Sequence, residues 1–336
     1  MNFARRILPA LLAVYGLAPC AARAENLEGA FPPREQLENL TPAELPPALF
    51  ALRVHDPETW TLEGPFPERV EAKAFRDPST AGALLAEAAK RREGIVLPTE
   101  AMHCVARELG RFLLAHNAQP TAGLRRFIAA RCRATSGEVG FAYVGFQVPE
   151  KADAEAVLQQ RSDQIESFLS AQLAGGPLTA GVWFGRQGER VVMTVARGTR
   201  RVRIGPVPGS LRPGGSIEIA GEVLESTERV SALMNRGAFG YQACRPDRSV
   251  TLPRFAFTCD GEASDRSHLI TVQLQPTGRL LAIKALDLLL IPDGDTHAVY
   301  RRPESAAEGP AEVTPETAAQ KTAEVVNALR ARAGLE

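Results

Sequence analysis

The sequence lacks an excess of charge of either sign. Its 336 residues carry 39 basic and 39 acidic side chains, a formal net charge of zero. That removes the broad positive field on which nucleic-acid binding rests. Lysine is scarce as well: Lys73, Lys90, Lys151, Lys284 and Lys321 are the only five, and arginine supplies the rest. Histidine and cysteine number five each. They form no C-x-x-C and no H-x-x-x-H pair, which argues against a zinc site. H-E-x-x-H, G-x-S-x-G and phosphate-loop motifs are missing too, so neither a catalytic set nor a cofactor is expected. After the first two dozen residues no apolar run approaches the ~18 needed to cross a bilayer. What remains is ordinary globular composition, 45% hydrophobic and 23% charged, on a length that suits two domains.

The N-terminus accounts for the odd cysteine count. Arg5 and Arg6 precede an apolar run, Ile7 to Leu17, and Ala22-Arg23-Ala24 forms a small-x-small cleavage site. These are the three parts of a secretory signal, expected over residues 1–24. Leu17-Ala18-Pro19-Cys20 could be read as a lipobox, but Pro19 stands where such a box wants Gly, Ala or Ser. Cleavage after Ala24 removes Cys20 and leaves Cys104, Cys132, Cys244 and Cys259. An even count in an oxidising compartment favours disulfides over free thiols. Four cysteines allow three connectivities, and locality favours Cys104–Cys132 and Cys244–Cys259. A secreted or periplasmic location follows as the expectation.

Along the chain the character changes several times. Residues 25–75 are a Pro/Glu-rich lead-in with one short helix expected at Pro47–Val54. Residues 76–206 alternate helices and strands. Asp77-Pro78-Ser79-Thr80, Pro98-Thr99-Glu100 and Pro120-Thr121 are helix starts. Met102, Val105, Leu109, Phe112 and Leu113 recur at helical spacing. A strand is expected over Phe141–Val148, one long helix over Lys151–Ala174, then strands at 180–184, 190–195 and 200–204. Residues 214–300 show short alternating segments about every ten residues (217–223, 229–234, 254–259, 269–274, 280–285, 286–291), the pattern of an antiparallel, immunoglobulin-like β-sandwich. A Pro/Glu/Ala linker at 301–314 leads to a helix at 315–336. The fold class is therefore α+β: an N-terminal α/β or α/β/α domain, then a β-sandwich.

Candidate binding residues are few. Arg197, Arg200, Arg201 and Arg203 could meet an anionic glycan or lipid headgroup, although a plain solvated strand face is the preferred reading. Trp183, in Gly181-Val-Trp-Phe-Gly185, could stack a sugar, although a buried strand is the preferred reading. His103 and Cys104 are neighbours on a helix, ~100° apart, and so poorly placed to share a proton. His116 lies at a helix end, where the dipole favours imidazolium. His55, His268 and His297 stand in separate segments. Asp287, Asp293 and Asp295 do not meet the calcium-loop pattern.

The final segment reads Val325-Val-Asn-Ala-Leu-Arg-Ala-Arg-Ala-Gly-Leu335. It resembles the opening helix of the CAP superfamily of cysteine-rich secretory and pathogenesis-related proteins, whose N-x-x-R-x-x-x-G-L is filled by Asn327, Arg330, Gly334 and Leu335. The resemblance covers about 20 residues and implies the start of a further CAP-like domain; the other reading is a helix that docks back on the first two domains. Residues 76–200 carry a weaker echo: Cys104-Val-Ala-Arg-Glu-Leu-Gly110 followed by His116, and later a helix leading to Ala180-Gly-Val-Trp-Phe-Gly185 before a final hairpin. The family's cavity uses two histidines with acidic partners, one histidine in a W-x-x-S-x-x-H string. Here the corresponding stretch, Arg161 to Ser167, has neither Trp nor His. No cavity residue carries over, and the resemblance implies a CAP-like domain that has lost its site. The expected function is a secreted or periplasmic non-enzymatic binding protein whose partner is an envelope glycan, lipid or protein. The alternative is a cell-envelope hydrolase acting on peptide or cell-wall substrate, with its site in residues 76–200 or beyond 336.

Overall fold

A computed structural model describes residues 54–302, apart from 56, 93, 236–239, 262–266 and 293–297, together with 323, 324, 326, 327 and 330. The expected signal, most of the lead-in and nearly all of the linker lie outside the described residues, as do Asp293, Asp295, His297, Gly334 and Leu335. Val326, Asn327 and Arg330 are helical. Of the helix expected at Pro47–Val54 only Val54 is described, and it is in a strand.

In chain order the first unit comprises β1 (Val54–His55), β2 (Thr59–Thr61), β3 (Arg69–Val70), α1 (Thr80–Lys90), β4 (Val96–Pro98), α2 (Glu100–His116), β5 (Gln119–Pro120), α3 (Ala122–Arg131), β6 (Val139–Gln147), α4 (Ala154–Gln160), α5 (Ser162–Gln172), β7 (Leu178–Gln187) and β8 (Arg190–Thr199). The helices begin where the sequence signals them. The side chains of Ser79, Thr99 and Thr121 accept from the backbone N–H groups of Gly82, Met102 and Leu124, satisfying donors that a helix start leaves open. Helix α2 ends at Asn117 in the left-handed region, φ 47°.

One sheet organises this unit, in the order β4-β7-β8-β6. Strand β4 runs parallel to β7, and the other pairs are antiparallel. Side chains alternate across β7. Ala180 and Val182 join Leu85, Leu158, Ile165 and Leu169 of α1, α4 and α5 on one face. Trp183 joins Met102, Leu109, Phe112, Leu124 and Ile128 of α2 and α3 on the other. The result is three layers, α/β/α. The single helix expected over 151–174 is two. The chain turns at Arg161 (φ −102°, ψ 17°), whose guanidinium lies 4.8 Å from the Phe146 ring centre. Burying that side chain fixes the break.

The second unit continues with β9 (Val202–Ile204), β10 (Val207–Pro208), β11 (Ser210–Leu211), β12 (Ser216–Val223), β13 (Thr227–Asn235), β14 (Tyr241–Ala243), β15 (Arg245–Pro246), β16 (Arg254–Asp260), β17 (His268–Pro276), β18 (Ile283–Pro292) and β19 (Val299–Arg301). Two sheets, β11-β18-β17-β13-β14 and β15-β16-β12-β9, enclose Ile217, Ile219, Phe257, Met234, Ile270, Val272, Leu286 and Leu288. Apart from the short parallel pair β11–β18 they are antiparallel. The two strands expected within 280–291 are one. The β17–β18 register steps from Val272↔Leu286 to Gln273↔Lys284, so Ala285 is a bulge. Ala285 and Leu286 are both buried, which breaks the alternation. Leu280 and Leu281 fall in the hairpin connection instead.

The units are interleaved at their ends. Strand β3 pairs with β10, placing Val70 in the sandwich core. Strand β19 pairs with β2, placing Ala298 and Tyr300 in the α/β core. The Pro-rich lead-in is thus partly edge strand. Between the units, Arg126 Nε lies 3.1 Å from Asp287 Oδ2, and Thr271 Oγ1 donates to Asp287 Oδ1 at 2.7 Å. Lys284 Nζ also donates to Asp287, at 3.0 Å. The buried Arg133 donates to the Leu289 carbonyl. Burial, with Arg131 nearby, pushes the Arg133 guanidinium down to about 10. Both local disulfides form: Cys104–Cys132 links α2 to the end of α3, and Cys244–Cys259 links the β14–β15 junction to β16.

Candidate functional site

The arginine strip is divided between the two units. Arg197 is on β8, opposite Gly140 and Ala180 in the α/β sheet. Arg203 is on β9 in the sandwich, 3.2 Å from Glu222 Oε2. Arg201 NH1 reaches both oxygens of Glu225, at 2.9 and 3.0 Å. Arg200 donates to the Gly94 carbonyl at 3.1 Å, and burial lowers its pKa. Trp183 packs under α2 at Gly110, where an added Cβ would overlap the indole and stand 2.9 Å from Thr194 Oγ1. The glycine lets the helix settle directly on the strand.

His103 and Cys104 diverge as adjacent helix residues must. Cys104 enters its disulfide, while His103 turns to Asp77, with Nδ1 3.6 Å from Oδ2. A small recess of about 20 Å³, lined in part by Asp77, Thr99, His103 and Gly181, opens there. That is room for about one water molecule. Asp77 also accepts from the Ser79 N–H at 3.0 Å and from Ser79 Oγ at 2.7 Å. Burial lowers the His103 pKa, and Asp77 works against that shift.

The second histidine cluster joins residues far apart in sequence. Strand β1 pairs with β5, bringing the His55 ring centre 4.7 Å from that of His116. Phe112 lies 4.5 Å and Trp60 5.1 Å from His116. The helix dipole alone would favour imidazolium at His116. Burial, and then His55, lower its pKa instead, so this apolar stack favours the neutral ring. His116 Nε2 has no hydrogen-bond partner among the described residues.

A third cluster centres on Glu108, fully buried on α2. Its oxygens accept from Arg107 Nε at 3.1 Å, Arg111 NH1 at 2.8 Å and the Glu63 N–H at 3.3 Å. Arg111 also pairs with Glu63, and Arg107 donates to the Pro65 carbonyl at 3.1 Å. The carboxylate fastens the 63–65 strap to α2. Sequence reasoning missed this cluster. The signal available was R-E-x-x-R, an acid flanked by two arginines on one helical side, but its partner strap is remote.

Among the described residues no three His, Cys, Asp or Glu side chains gather as a metal-ligand set. No described helix is long and apolar enough to cross a membrane. Neither a family model nor a curated protein matches the chain.

Proposed function

We propose that this chain is a secreted or periplasmic binding protein of CAP-like multidomain type, recognising an envelope glycan, lipid or protein without transforming it. Two disulfides suit an oxidising compartment. The three-layer unit, closing on the β7–β8 hairpin after a helical stretch, supports the CAP resemblance of residues 76–200. One observation carries the non-enzymatic reading: two groups of this unit that could serve catalysis, Glu108 and His116, are set in structural surroundings. Glu108 is held by two arginines and a backbone N–H, and His116 is stacked among Phe112, Trp60 and His55.

The hydrolase reading draws on the Asp77–His103 approach. Ser79 Oγ donates to Asp77 rather than to the imidazole, so the imidazole does not activate that hydroxyl as a nucleophile. The test is to screen the oxidised, signal-free protein against envelope lipids, glycans and peptides for shifts in melting temperature. Shifts with an unchanged ligand mass support binding. Turnover abolished by His103→Ala would establish the hydrolase.

A further inference from the structure

We propose that the β17–β18 hairpin tip is a wedge that docks the protein on an anionic lipid bilayer. Leu280 and Leu281 are 97% and 80% exposed, the two most exposed large apolar side chains among the described residues. A single exposed leucine is ordinary, but two adjacent ones at a tip are a concentrated unpartnered surface. The run Pro276-Thr-Gly-Arg-Leu-Leu-Ala-Ile-Lys284 holds two cations and no acid. Lys284 is paired with Asp287, while Arg279 is exposed and forms no ion pair among the described residues.

The loop is fastened at its base. Thr277 N–H donates to the Ser226 carbonyl at 3.2 Å, the Ser226 and Thr277 hydroxyls meet at 2.9 Å, and Gly278 N–H donates to Glu228 Oε1 at 3.0 Å. Gly278 adopts φ 75°, a turn that favours glycine. A second loop is tied to the end of β12, next to the β12–β13 turn, because Val223 N–H donates to the Pro253 carbonyl at 2.8 Å. It carries Leu252, 42% exposed, between Arg248 and Arg254. The acids nearby are engaged: Glu225 with Arg201, Glu228 with the Gly278 N–H, and Asp247 with Ser249. Leucines at the apex with unpaired guanidinium beside them place aliphatic carbon at acyl depth and positive charge at the phosphates. A protein partner would call for a broader apolar patch.

This deepens the binding-protein reading and rests on it only in requiring a bilayer within reach. The experiment is sedimentation of the oxidised, signal-free protein with phosphatidylcholine vesicles, with and without phosphatidylglycerol. Leu280→Asp/Leu281→Asp is the variant, and both positions are too exposed to carry the fold. The expected result is selective binding to the phosphatidylglycerol vesicles, weakened by salt and reduced about tenfold or more in the variant. Absence of wild-type binding, or equal binding by the variant, overturns the proposal. So does a wild-type oligomer that the variant dissociates, which would assign the leucines to a second copy. Vesicle failure with retained glycan or peptide shifts removes the wedge alone; loss of both removes the broader reading.

Discussion

Replacing Glu108 by alanine removes the most deeply buried carboxylate among the described residues. Three donors lose their acceptor: Arg107 Nε, Arg111 NH1 and the Glu63 N–H. Breaking a buried pair by deleting one partner costs about 3–5 kcal/mol, and a hydrogen bond to a charged group contributes about 1.5–3 kcal/mol. The two arginines retain 17% and 20% side-chain exposure, so water recovers part of the loss. The working figure is about 3 kcal/mol, a large share of the ~5–15 kcal/mol typical of a domain. Glu108→Gln keeps an acceptor but not the charge, and should cost about half as much. Urea denaturation of the oxidised protein measures this as a lower midpoint at unchanged slope. Limited proteolysis should also show earlier cleavage around residues 63–65, which Glu108 and Arg107 hold in place. A Glu108→Ala protein within about 0.5 kcal/mol of wild type would refute the reasoning. Full stability with lost ligand binding would move Glu108 from anchor to recognition.

Gly110→Ala sets a helix-propensity gain of about 1 kcal/mol against overlap with Trp183, at about 1–3 kcal/mol or more. A net loss is expected, recovered in part when Trp183→Leu is added; additivity in that cycle would contradict the contact. Replacing both cysteines of Cys104–Cys132, separated by 28 residues, should cost about 3–4 kcal/mol, and of Cys244–Cys259, separated by 15, about 3 kcal/mol. Mass spectrometry should find no free thiol among these four before reduction, and four free thiols would contradict the pairing. The folded pKa values of His103 and His116 both lie below 6.5, so the unfolded chain takes up protons the folded one resists. Their contribution is full above pH ~6.5 and falls as pH drops toward the folded values. His116→Phe should flatten the stability loss between pH 8 and 5, and an unaltered slope would contradict the burial argument.

Local chemistry was readable where it was self-contained. Ser79, Thr99 and Thr121 announce helix starts because a cap needs only its own next turn. The disulfides followed from locality, because each pair closes within one unit. The sandwich followed from alternation, until the Ala285 bulge merged two expected strands and left Leu280 and Leu281 in a loop. What failed depended on contacts remote in sequence. Arg161 breaks a continuous helical pattern because Phe146, on another element, receives it. His55 and His116 meet because β1 pairs with β5, and Glu108 needs the 63–65 strap. Arg197 and Arg203 read as one strip only until the chain passes from the α/β sheet to the sandwich between them.

The central claim is that this protein binds in the envelope without catalysing there. It is tested most directly by incubating the oxidised chain from residue 25 onward with phosphatidylglycerol vesicles, cell-wall fragments and a peptide library. Bound and free ligand are then followed by mass spectrometry over time. The account predicts saturable binding with every ligand mass unchanged. A product that accumulates in proportion to protein concentration would contradict it.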